Sequence, residues 1–90
     1  MRLYLIRHGQ TAWNAASRAQ GHTDTPLDEV GLAQADCLRS AFAGIELAEV
    51  WTSDLQRSHS TAIPVAETCG CPLISRRDLR ERTFGEWEGL

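Results

Sequence analysis

Leu3-Tyr4-Leu5-Ile6-Arg7-His8-Gly9, close to the start of the chain, governs how the remaining residues are read. A short apolar run with β-favouring Tyr4 and Ile6, stopped by a glycine, predicts a buried strand over Leu3 to Arg7. Such a strand releases an arginine and a histidine at its carboxyl end. Arginine presents a planar fork that grips phosphate oxygens in pairs, and a neutral imidazole nitrogen can act as a nucleophile near neutral pH. On its own such a triplet is more often a polar loop than a site, so its weight comes from the residues C-terminal to it.

Gln10 to Asp28 is polar and interrupted by Gly21 and Pro26, which predicts a loop with a helical turn over Thr11 to Ala16. A loop of that length in a compact domain tends to be functional. Asp28 is a good N-cap, and the stripe Val30, Ala33, Cys37, Leu38, Ala41 and Phe42 predicts an amphipathic helix that Gly44 stops. Glu49 to Ser53 reads as a second short strand around Val50, Trp51 and Thr52. Asp54 is positioned to cap a second helix from Leu55, with Leu55, Ala62, Ile63 and Ala66 on one face and Cys69-Gly70 at its end. Pro64 inside that helix costs about 3 kcal/mol and predicts a kink or break near Thr61 to Pro64 unless tertiary contacts hold it. Pro72 to Ser75 reads as a third strand, ahead of the charged Arg76 to Arg82 segment and a Phe84 to Gly89 loop. Alternating strands and helices build a parallel sheet with right-handed crossovers. Ligands bind beyond the carboxyl ends of such strands, where His8, the Ser53 to Arg57 segment and Glu81 would converge.

The bulk numbers are consistent with this reading. Ninety residues with 42% hydrophobic and 23% charged content describe one small soluble globular domain at most. A formal charge of −3 argues against broad attraction to nucleic acid or an anionic membrane, although all nine basic residues are arginine. The apolar run of Leu3 to Ile6 is too short for a signal-peptide core or a membrane span, so the cytoplasm is the expected compartment. Cys37, Cys69 and Cys71 form an odd set without CxxC spacing, which suggests neither a disulfide framework nor a zinc site.

Four blocks in order then carry a resemblance: Arg7-His8-Gly9-Gln10-Thr11-Ala12-Trp13-Asn14; Gln20-Gly21 with Asp24, Pro26-Leu27 and Gly31; Ser53-Asp54-Leu55-Gln56-Arg57 with Thr61-Ala62; and Leu79-Arg80-Glu81 with Phe84-Gly85-Glu86-Trp87-Glu88-Gly89. The chain resembles the histidine phosphatase, or phosphoglycerate mutase-like, superfamily along nearly its whole length. The resemblance implies a three-layer α/β/α fold with a mainly parallel sheet, of which residues 1–90 form the N-terminal portion of a single domain. It implies phosphoryl transfer through a phosphohistidine on His8, without metal or other cofactor. Arg7 and Arg57 resemble the pocket arginines, Asn14 a supporting phosphate contact, Gln20 and Gly21 part of a substrate-facing loop, and Glu81 the proton donor to the leaving oxygen. Physical chemistry supports these roles. A phosphate dianion needs concentrated positive charge and fixed donors. Glu81 needs a raised pKa to act as an acid near neutral pH, and His8 needs a fixed acceptor for the proton on its second nitrogen.

Other residues read as ordinary structure: Trp13 and Trp87 as packing, His22 as a solvated loop side chain, and His59 as structural or exposed. The second pocket histidine of the family, in a His-Gly motif after a later strand, has no counterpart here, and family domains are more than twice as long. The expectation is therefore a phosphatase acting on a small phosphorylated metabolite, such as a sugar phosphate or α-ribazole phosphate, with no nucleic-acid or membrane partner. A phosphoglycerate mutase-type transfer and a catalytically incomplete phospho-ligand binding fragment are the alternatives, and the oligomeric state, homo-oligomer included, stays open.

Overall fold

The computed structural model describes residues 2–17 and 21–80; Gln20, Glu81 and the expected Phe84 to Gly89 loop with Trp87 lie outside them. Two long helices and a parallel pair of strands form the framework. Helix α1 is the single turn Ala12–Ala15, within the stretch expected. Thr11 caps it: its Oγ1 accepts from the Asn14 amide at 3.1 Å while Asn14 Oδ1 accepts from the Thr11 amide at 3.1 Å.

Helix α2 runs Glu29–Phe42 from the Asp28 cap, whose Oδ1 accepts from Gly31 N at 2.8 Å. Gly44, at φ +79°, turns the chain just after it. Its buried face differs from the expected stripe. Gly31, Ala35 and Phe42 are buried and Leu38 half-buried, whereas Val30, Ala33, Cys37 and Ala41 are exposed. Small residues, rather than the larger apolar ones, face the neighbouring backbone, because the approach there is too close for a side chain. A Cβ on Gly31 would lie only 2.0 Å from the carbonyl oxygen of Gln10.

Strand β1 (Val50–Thr52) and strand β2 (Leu73–Ser75) pair in parallel with Val50 opposite Leu73, Trp51 opposite Ile74 and Thr52 opposite Ser75. Both match the expected strands. Parallel neighbours need a crossover, and helix α3 (Gln56–Cys69) supplies it, closing at Gly70 in the left-handed conformation. Helix α3 packs against both strands and, on another side, against α2. The core consists of Leu55, Val65 and Ala66 with Ala35, Phe42 and Leu27. These helices and the parallel pair make an α/β arrangement.

Two expectations are corrected, and the one for Pro64 meets its stated exception. Leu3 to Arg7 is neither a ladder-bonded strand nor buried: Leu3 is 81% and Leu5 88% exposed. Among the described residues no strand pairs with this run, and its side chains lie mostly in solvent. Tyr4 still packs edge-on against Phe42, with ring centroids 5.4 Å apart. Asp54 does not cap α3; it takes Arg80 in a two-pronged pair at 2.6 and 2.7 Å. The α3 amide of Gln56 instead donates to Asp24 Oδ1 at 2.7 Å, a cap delivered from a loop 32 residues earlier. Pro64 does not break α3. The helix continues through it, and Thr61, Pro64, Val65 and Ala66 are all buried, the tertiary packing that offsets its cost.

Candidate active site

His8 stands at the end of the exposed run, half-buried, and its Nδ1 lies 2.7 Å from the carbonyl oxygen of Gly9. A carbonyl only accepts, so this bond puts the proton on Nδ1 and leaves the Nε2 lone pair as the basic, nucleophilic one in the neutral ring. The sequence required such an acceptor, and the residue after the histidine provides it.

The loop behind His8 is held from two sides. From α2, the Asp28 amide donates to Gln10 O at 2.9 Å, Asp28 Oδ2 accepts from Gln10 Nε2 at 2.8 Å, and Gln34 Oε1 accepts from Gln10 N at 2.8 Å. From α3, Thr61 Oγ1 accepts from Gly9 N at 2.9 Å. These bonds hold Asp28 below its ordinary carboxylate pKa of 3.8, chiefly through Gln10, with Gly31 N adding to the effect. Gly9 and Gly31 pass so closely that a Cβ on Gly9 would sit 2.6 Å from Gly31 O. Two glycines at one crossing allow the backbone of the His8 loop to rest on the start of α2.

Arg7, His8 and Asn14 line one cavity of about 230 Å³, together with Gly9, Gln10 and Gln34. An exposed guanidinium, an imidazole and an amide around a polar cavity suit an anion with several oxygens. Asn14 spends its Oδ1 on the α1 cap, which fixes its side chain in place. Arg57 is placed differently. It is 1% exposed, and its Nη1 and Nη2 donate to the carbonyls of Thr23 and Gly21, each at 2.6 Å. It is not among the residues lining that cavity; it ties α3 to the 21–23 loop. Gly21, at φ +54°, adopts the left-handed conformation that a glycine takes without strain. His22 and His59 are half-buried, so the solvated reading of His22 gives way to a partly covered one.

A second cavity, of about 240 Å³, opens between Tyr4 to Ile6 and β1 and includes His8, Ser53, Ser58 and Thr61 in its wall. Arg80, the residue before Glu81, is anchored at this end of the sheet by its pair with Asp54. The arginine also holds the Asp54 carboxyl below its ordinary range. Sequence reasoning assigned no site role to Asp28, Gln34 or Thr61. The signal for Thr61 was its position four residues after Arg57, on the same helical face.

With this geometry in view, the family comparison is specific. The model of the histidine phosphatase superfamily (branch 1) matches residues 3–90. The chain belongs to the histidine phosphatase superfamily. Among its relatives is the metal-independent phosphoserine phosphatase of Arabidopsis thaliana, 44% identical over 98% of this chain and 38% of that protein. A relative from Yersinia pestis that bears the name "Probable phosphoglycerate mutase GpmB" is 39% identical over 98% of this chain and 41% of its own length. The mycobacterial glucosyl-3-phosphoglycerate phosphatase, solved with VO3, superimposes with a TM-score of 0.87 at 38% identity over 93% of this chain and 40% of that one. The chain thus spans about two fifths of the length of these histidine phosphatases. Among the described residues no helix is long and apolar enough to cross a membrane.

Proposed function

We propose that the chain is the N-terminal portion of a cytoplasmic phosphatase that hydrolyses a small phosphomonoester through a phosphohistidine on His8. The observation that carries this reading is the 2.7 Å contact between His8 Nδ1 and Gly9 O, beside the Arg7 and Asn14 cavity. It presents Nε2 as the attacking atom. Nε2 forms a bond to phosphorus as the phosphorus–oxygen bond to the leaving group breaks, and the leaving oxygen takes a proton from an acid, the role for which Glu81 is proposed. Water then attacks the phosphorus as it gives a proton back to that carboxylate, the P–N bond breaks with its electron pair returning to Nε2, and inorganic phosphate departs with both His8 and the acid restored. Arg7 offsets the charge on the phosphoryl oxygens, and Asn14 adds a neutral contact. Arg57 acts on the same centre by fixing the 21–23 loop, in addition to its expected place in the anion clamp. Two phosphatases among the relatives support the hydrolytic reading, and the name of the Yersinia pestis relative favours a mutase as the second one. Free cysteines at positions 37, 69 and 71 agree with a reducing compartment.

Incubation with a 32P-labelled phosphomonoester tests the proposal. An acid-labile, base-stable label on the protein, absent from His8→Ala, is the expected result. Label that persists in His8→Ala, or no label on the wild-type chain, overturns it. The fate of the label separates the readings: inorganic phosphate for the phosphatase, a second phosphorylated position on phosphoglycerate for the mutase.

A further inference from the structure

Thr61 is 4% exposed and lies in the wall of the cavity shared by His8 and Ser53 and of a smaller one between Arg7 to Gly9 and the Gln34 to Leu38 stretch of α2, though not of the Asn14 cavity. Its hydroxyl accepts from Gly9 N at 2.9 Å and donates to the carbonyl of Arg57 at 2.7 Å. A bond from a helical threonine to the carbonyl four residues earlier is common and by itself means little. Here the same oxygen also takes an amide from a segment 52 residues away. Since the Gly9 amide can only donate and the Arg57 carbonyl can only accept, the hydroxyl proton has one direction, and the three groups form a single polarised relay.

We propose that Thr61 is the positioning residue that sets the nucleophile against the arginine helix. The relay extends at both ends. Gly9, whose N–H is held by Thr61, supplies the carbonyl that fixes the His8 tautomer. Arg57, whose carbonyl is held by Thr61, grips Gly21 and Thr23 through its guanidinium. One buried hydroxyl therefore joins the backbones that carry the proposed nucleophile, the proposed clamp arginine and the substrate-facing loop. The inference rests on the phosphohistidine reading for its catalytic meaning, but the relay itself is a property of the fold.

Thr61→Val keeps the shape and removes the hydroxyl; Thr61→Ser keeps the hydroxyl and removes a methyl. Both are compared with wild type as the full 90-residue chain, by 15N spectra of the His8 imidazole and by titration with inorganic phosphate. In the wild type and Thr61→Ser the imidazole is expected in the Nδ1–H form, with phosphate affinities within about twofold of each other. In Thr61→Val the ring populates both tautomers and phosphate binding weakens by about tenfold, the effect of leaving a buried amide unsatisfied. A lowered melting temperature in Thr61→Val with unchanged tautomer and affinity overturns the proposal, as does Thr61→Ser behaving like Thr61→Val. Should Thr61→Val fail to fold, Thr61→Cys, with a weaker donor and acceptor of similar size, takes its place under the same criteria. If the wild type binds no phosphate, the functional reading fails, and Thr61 stands or falls on the imidazole spectra alone.

Discussion

Residues 3–7 and residues 9–11 are neighbours in the chain and are held in opposite ways. The first group is rich in Leu, Tyr and Ile yet lies mostly in solvent; the second is Gly-Gln-Thr, and its glycine and threonine are buried. Apolar content creates a tendency to be covered, but covering requires a partner surface, and none of the described strands pairs with the run. Residues 9–11 need little apolar area because α2 and α3 meet their backbone with hydrogen bonds and with small residues that permit contact. The comparison teaches that the site is fixed by backbone satisfaction and close approach, with hydrophobic burial acting mainly elsewhere, between α2, α3 and the strands.

Substitutions on each side of this contrast test it. Gly31→Ala should be the most damaging, because its Cβ would meet the Gln10 backbone at 2.0 Å, and backbone cannot step aside as a side chain can. A loss of more than about 4 kcal/mol, beyond ordinary overpacking, is expected by thermal unfolding, despite a gain of about 1 kcal/mol in helix propensity. A stable Gly31→Ala protein would break the close-approach argument. Phe42→Ala removes a side chain only 7% exposed that also carries the edge contact to Tyr4, and about 3 kcal/mol should be lost in denaturant unfolding.

Asp28→Asn sharpens the comparison through pH. The folded-state pKa of Asp28 is depressed, so its contribution is fully present above the unfolded value of about 3.8 and is lost as pH falls through the lower folded value. The melting temperature of wild type should exceed that of Asp28→Asn by a constant margin above about pH 5, and the two should converge toward pH 2. Divergence on acidification would contradict the assigned bonds to Gln10 and Gly31. Leu5→Ser should have the smallest effect, under about 0.5 kcal/mol, because that side chain is 88% exposed. A large loss in the same unfolding assay would mean that the run is covered after all.

Much of the framework was legible in the sequence. Asp28 with the residues after it marked α2, Val50 to Thr52 and Leu73 to Ser75 marked the parallel pair, and Gly44 and Gly70 marked helix ends. These signals are local: a cap, a β-favouring run or a glycine acts within a few residues. Where a partner far along the chain decides, the reading failed. Asp54 had the right type and place to cap α3, but Arg80 engages its carboxylate and Asp24 does the capping. The face of α2 was misjudged because Gly31 and Ala35 gain value only from the backbone that crosses them.

The sequence by itself determined the family, since the order of its blocks from Arg7-His8-Gly9 onward is a covalent property that folding does not alter. It also determined that His8 would need an acceptor for one ring nitrogen. Tertiary structure alone decided which groups hold that histidine in place: Gly9 O for the ring, Thr61 and Gln34 for the loop, and Asp28 for the side chain of Gln10. The reason is that a hydrogen bond depends on distance in space, and the 52 residues between Gly9 and Thr61 carry no local trace of a 2.9 Å contact.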